Sequence, residues 1–214
     1  MELQLRLSKQ WITIGSSAGI VANLLFPILL LVSLPSYIEI FLIGMFGVSF
    51  SLCGFGIHHL MKHEKPTVLT QIAALFVFVS GFLFNLMLVV QQVFKGYLEH
   101  FNTQTTTSEE AEILDWINKT VDPIHLSMQL SNDFFCGLAM LLFSYLMYSH
   151  SFFGKLWAVS GAVIALSLLI IKCYAFPFTP QEIGIPYVLG PAIALWFTAV
   201  CIQCLRKRND IGVS

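Results

Sequence analysis

The chain has 214 residues, 57% of them apolar and 11% charged, with a formal net charge of −1 and a mean hydropathy of +0.79. Soluble domains carry about 25% charged residues, so a soluble globular fold is excluded, and a charge this close to zero gives no ground for a nucleic-acid partner. Six apolar spans of roughly 20 residues would use more than half of the length, which predicts one all-α membrane domain over residues 1–214 rather than two domains.

Hydropathy predicts spans at about 11–34, 36–61, 67–96, 124–148, 153–175 and 184–205, each long enough for a hydrocarbon core of about 30 Å. The first is too long for a signal-peptide core, and no small-residue cleavage site follows Phe26-Pro27-Ile28-Leu29; it is expected to remain as a mature helix. Of the eleven Lys and Arg, Arg6, Lys9, Lys62, Lys65, Lys155, Arg206, Lys207 and Arg208 fall on one side, leaving Lys95, Lys119 and Lys172. The positive-inside rule then predicts an N-in, C-in bundle of six transmembrane helices, with the 62–66 and 149–153 turns also cytoplasmic.

The outer segment, about 97–123, is acidic. Thr107 and Glu110 have capping-box spacing, and Ile113, Leu114, Ile117 and Val121 recur at helical intervals beside Trp116, predicting a short amphipathic helix on the outer interface. Asp122-Pro123 is expected to end that helix and start span four. The segment reads as a lid over an outward cavity or as a connector resting on lipid. Asn118-Lys119-Thr120 matches a glycosylation sequon, a triplet that is frequent by chance.

Small residues mark where helices approach closely: Gly15 to Gly19, Gly47 to Ser51, Gly161 to Ala165, and Gly54 with Gly56. Contacts inside one bundle account for them, and homodimerisation is the alternative. Pro27, Pro186 and Pro191 are expected to bend spans one and six.

Intramembrane polar residues are costly and usually face the bundle interior. In span four, His125, Gln129, Asn132, Asp133 and Cys136 fall within a stripe about 100° wide. Asp133 lies ten residues after Pro123, about 15 Å deep, and inward counts along spans one and three bring Asn23 and Asn85 to a similar depth. An isolated ionised carboxylate there is expensive, so Asp133 calls for a proton, water or a partner. Lys172 is the one lysine near a span interior; it either reaches inward to within about 4 Å of Asp133 or snorkels outward. Two readings of Asp133, Asn132, Gln129, His125, Asn85, Asn23 and Lys172 stay open: the wall of a site for a small ligand or proton, or hydrogen-bond glue between helices.

Metal and thiol chemistry find little support. His58, His59, His63 and His150 gather at the cytoplasmic ends, but without HExxH or similar spacing, and adjacent histidines point to different helix faces. A site of His58, His59, His63 and Glu64 is the alternative to interfacial histidines. Cys201 and Cys204 form a CxxC beside three single cysteines; an odd count on a reducing side implies no disulfide framework. No GxSxG, phosphate-binding glycine loop or Ser/His/Asp pattern occurs. No cofactor is expected, and the reading leans to a non-enzymatic protein; a structural subunit and an intramembrane lipid enzyme are the rivals.

The run Asp122-Pro123-Ile124-His125-Leu126-Ser127 to Asn132-Asp133, with His150-Ser151-Phe152-Phe153-Gly154-Lys155, Phe176-Pro177-Phe178-Thr179-Pro180, Leu189-Gly190-Pro191 and Leu195-Trp196, resembles a family of uncharacterised bacterial six-helix membrane proteins. The likeness covers about residues 120–205. In that family an aromatic often precedes the Asp, where this chain has Asn132. The resemblance implies a six-helix fold in a bacterial cytoplasmic membrane and no particular activity.

Overall fold

The computed structural model describes residues 2–64, 67–102, 107–185 and 189–211, with the side chains of Leu30, Asn102, Ser108, Ala111 and Asn118 left aside. Lys65 and Pro186, and the side chain of the sequon residue Asn118, lie outside the described part. Six α-helices follow in order: α1 (Glu2–Leu31), α2 (Ser36–Met61), α3 (Val68–Asn102), α4 (Ser108–Met147), α5 (Lys155–Ala175) and α6 (Gly190–Lys207). There is no strand among the described residues. The first five are long and apolar enough to cross a membrane, which marks a membrane protein. The sixth has 18 residues, about 27 Å of rise, and ends in Arg206 and Lys207.

Two boundaries differ from expectation for identifiable reasons. Residues 108–121 form no separate short helix: α4 continues through Asp122 and Pro123 into the apolar span. The capping box at Thr107 and Glu110 is present, so the helix starts where expected, but nothing stops it. Pro123 and its neighbours are exposed, so the carbonyl it leaves without an intrahelical donor sits where water or headgroups can take over. The hydroxyls of Thr120 and Ser127 donate back to Trp116 and Pro123 carbonyls at 2.8 Å, fastening the helix on both sides of the proline. Span six begins later than 184, because a turn with Gly184 at φ 77° precedes it. Pro191 then falls in the first turn of α6, where a missing N–H costs nothing, so it does not bend the helix.

Each helix packs on the next in sequence, and α6 closes the bundle against α1, with lesser contacts to α2 and α5. The small residues make this possible. A Cβ on Gly15 would meet the Gly56 backbone nitrogen at 2.5 Å, and one on Gly19 would meet the Cys201 and Cys53 sulfurs at 2.7 and 2.8 Å. The α1–α2 contact at Gly15 is therefore backbone to backbone, and at Gly19 the Cys53 and Cys201 Sγ atoms, 3.4 Å apart, fill the junction with α6. At 35 and 40 residues, α3 and α4 rise about 52 and 60 Å. They project well beyond a 30 Å core, and on the projecting part of α4 Ile113, Trp116 and Ile117 remain exposed.

At the opposite end the turns are tied together. Glu64, after α2, accepts from the Ser151 N–H and hydroxyl at 3.0 and 2.5 Å and lies 3.3 Å from His150 Nδ1. His58 and His59 take separate hydroxyl partners, Thr70 at 2.9 Å and Ser8 at 3.4 Å, with their rings edge to face at 5.2 Å. Gln203 Nε2 donates to the Phe152 carbonyl and Arg208 to Thr13 Oγ1. These contacts bring the start of α1, the 62–64 turn, the 148–154 turn and the end of α6 to one end of the bundle, carrying its basic residues with them.

Replacing Gly15 with Ala should destabilise the fold by about 1–3 kcal/mol, because backbone on α2 must move. Gly44, with open space where a Cβ would stand, is the control. Chemical unfolding of both variants in bicelles checks this, and equal stability would mean that α1 and α2 do not approach as described.

Candidate functional site

The site is built on α4. Asn132 and Asp133 are buried side by side at 7% and 9% exposure, and each reaches a different neighbouring helix. Ser80 on α3 donates to Asn132 Oδ1 at 2.6 Å. The Asn132 amide donates in turn to Asp133 Oδ1 at 3.2 Å. From α5, the Lys172 ammonium lies 2.7 Å from Asp133 Oδ2, so of the two expected directions for this lysine the inward one is observed. The result is a connected polar row, Ser80 to Asn132 to Asp133 to Lys172, across three helices. Lys172 sits in the last turn of α5, three residues and about 4.5 Å before its end, where the partial negative charge of the helix C-terminus favours a cation.

Beside Asp133 is a cavity of about 90 Å³ lined from five helices: by Asn23 and Phe26 of α1, Phe46 and Phe50 of α2, Ser80 and Phe84 of α3, Asn132, Asp133 and Cys136 of α4, and Gly190, Ile193 and Ala194 of α6. Its walls are largely apolar, with four phenylalanines. Phe26, Phe46 and Phe84 form a trio with ring centroids 5.2 to 6.1 Å apart. The space admits a few waters or a ligand of a few heavy atoms, and the polar row supplies its hydrogen-bonding side. No described side chain of the 107–121 segment contributes to this wall.

Of the seven residues singled out from sequence, Asn23, Asn132 and Asp133 line the cavity and Lys172 holds Asp133 from behind. Asn23 Nδ2 is engaged with the Gly19 carbonyl at 2.9 Å. The other three stand apart. Asn85 lies on a different side of α3, its side chain filling the place where Gly47 lacks a Cβ, with Oδ1 buried and no hydrogen-bond partner among the described residues. Gln129 and His125 are half-buried and outside the wall; His125 lies two turns from Asp133, about 12 Å along the axis. The reason is geometric: a stripe 100° wide faces α3 at one edge and α5 at the other, and the cavity meets it over a single turn.

Sequence reading missed Ser80 and the phenylalanines. Ser80 carried a signal in the Ser80-Gly81 pair, since Gly81 lets α3 approach Ser51 of α2, but nothing local distinguishes that hydroxyl from the chain's others. Glu39, in the first turn of α2, accepts from Gln92 of α3 at 2.7 Å. Among the described residues no group of three or more His, Cys, Asp or Glu is placed to hold a metal ion. No family model, curated protein or solved structure matches the chain.

Removing one member of a buried ion pair leaves the other uncompensated, so Lys172→Met should cost about 3–5 kcal/mol, and the double variant Lys172→Met/Asp133→Leu should recover most of it. Thermal melting in detergent gives both numbers. A single variant as stable as the parent would show that the pair is hydrated rather than desolvated.

Proposed function

We propose that this chain is a single-domain, six-span protein of a bacterial cytoplasmic membrane, with both termini in the cytoplasm, and that its polar core around Asp133 binds a small ligand or conducts protons. One observation carries the site reading: the Asp133 carboxylate is held by Lys172 and at the same time forms part of a cavity wall. A carboxylate that served only to join helices would be closed in by packed side chains. Here there is a void beside it, with Asn23, Asn132 and Ser80 around it, which suits a ligand that exchanges hydrogen bonds with the pair or a proton that passes through it. The shared basic end supports the orientation, because cytoplasmic ends carry the excess of Lys and Arg. The resemblance over residues 120–205 supports the bacterial membrane, and α6, with Pro191 at its start, serves as the sixth span.

A second reading has its own support. Ser80 of α3 is already hydrogen-bonded to Asn132 of α4, as in a structural subunit whose polar groups hold helices together at about 0.6–2 kcal/mol each, and Asn23 is taken up by Gly19 of its own helix. The cavity is what favours the first.

Two measurements bear on the function. In proteoliposomes enclosing a pH-sensitive dye, the parent is expected to dissipate a proton gradient faster than Asp133→Asn; where the cargo is a ligand instead, mass spectrometry of gently purified protein should find a small molecule that Asp133→Asn loses. Parent and variant alike in both assays would leave the structural reading. For orientation, Asn209→Cys should react with an impermeant maleimide only when the cytoplasmic face is opened, and Gln181→Cys only from outside.

A further inference from the structure

A second cleft lies at the basic end, between the first turns of α1 and the last residues of α6. It has a volume of about 740 Å³ and is lined by Arg6, Lys9 and Arg208, with Glu2 as its one carboxylate among the described residues. That is a surplus of two positive charges in a recess of ligand-binding size. Arg6, Lys9 and Thr13 recur at three- and four-residue intervals and so share a face of α1. Arg208 is brought to that face from α6 by a bond from its guanidinium to Thr13 Oγ1 at 3.2 Å, which uses one of its five donors. The neighbouring cation Lys207 is excluded from this group by its own ion pair with Asp210 at 2.8 Å.

The positive field extends past the cleft. His63 lies close enough to Lys9 and Lys62 that both, after burial itself, hold its imidazole below the ordinary value of 6.5. The cleft also has an apolar flank on its membrane side: Ile14 lines it, and Trp11 and Ile14 are exposed on the part of α1 that follows the cations. Cations at the level of the headgroups above exposed apolar surface match one class of molecule in both halves, a phosphate-bearing lipid with its acyl chains.

We propose that the cleft between α1 and α6 is a binding site for a dianionic phospholipid of the inner leaflet, with Arg6, Lys9 and Arg208 holding its phosphates and Ile14 its first acyl carbons. This rests on the membrane orientation above and is independent of the Asp133 cavity. Two phosphates match the surplus of two charges, which distinguishes a diphosphatidylglycerol from a lipid with a single phosphate. Basic recesses between helices on this side of a membrane are suited to such headgroups.

The test is native mass spectrometry of the full chain, released from nanodiscs containing equal parts of phosphatidylcholine, phosphatidylglycerol and diphosphatidylglycerol. The dianionic lipid should be retained at least tenfold over phosphatidylcholine, and Arg208→Gln, which leaves the α1 charges that orient the chain in place, should weaken retention about fivefold. Lys155→Gln, outside the cleft, should not. As a readout independent of any variant, the NMR titration of His63 in the parent should move upward when diphosphatidylglycerol replaces phosphatidylcholine, because an anion beside Lys9 offsets its field. Equal retention of all three lipids, an Arg208→Gln protein that behaves like Lys155→Gln, or displacement of the lipid by millimolar inorganic phosphate would overturn the proposal, the last by reassigning the cleft to a free anion. Asp133→Asn should leave retention unchanged, so failure here and failure of the Asp133 reading can be told apart.

Discussion

Neither Asp133 nor Lys172 can face hydrocarbon as a lone charge, and their 2.7 Å contact sets the arrangement of half the bundle. It fixes the rotation of α4 and α5 about their axes, because the two residues must point at each other. With α4 so rotated, Asn132 is turned toward α3, where Ser80 meets it. Desolvating a charge pair is expensive and its attraction roughly offsets the cost, so the pair contributes more to specifying which faces meet than to overall stability. The Asn132 amide, the last turn of α5 and the adjoining void all bear on the same carboxylate.

The other half of the bundle is held differently. Where α1, α2 and α6 meet around Gly15 and Gly19 the contacts are uncharged, and close packing supplies the attraction: Gly15 against Gly56, Gly19 against Cys53 and Cys201, and Ile12, Ala22 and Phe197 fully buried nearby. In lipid, apolar side chains gain little by leaving the solvent, so contact of this quality is what joins helices. The cavity lies where the two halves meet, with phenylalanines from the packed half on one side and the polar row from the charged half on the other. It exists because aromatic rings from α1, α2 and α3 pack on each other and leave Asp133 and Asn132 without a complementary surface.

Parts of this arrangement were legible in the residues because they follow from period and from elimination. A rotation of 100° per residue put Asn132, Asp133 and Cys136 on one face, and those three are buried together. Lys172 stood out as the one lysine near a span interior, which left it a choice of two directions. The glycine pairs announced close contact but not its partner: Gly47 gave room to Asn85 and so drew that residue away from the layer to which its depth assigned it. Depth is a one-dimensional property, whereas joining a site also requires the right azimuth on a helix, which depends on every neighbour at once.

By itself the sequence determined the helical class, the membrane environment, the segregation of basic residues to one end, the capping box at Thr107 and the face of α4 that carries polar groups. Each is a local consequence of apolar run length, charge position or helical period. Only the tertiary structure decided that α4 runs unbroken through Pro123, that α6 begins at Gly190, that Ser80 rather than Asn85 completes the polar row, and that a void remains beside Asp133. Those outcomes turn on which group satisfies a freed carbonyl and which side chains meet across a helix interface, and such partners are far apart in sequence: Ser80 and Asn132 are separated by 52 positions.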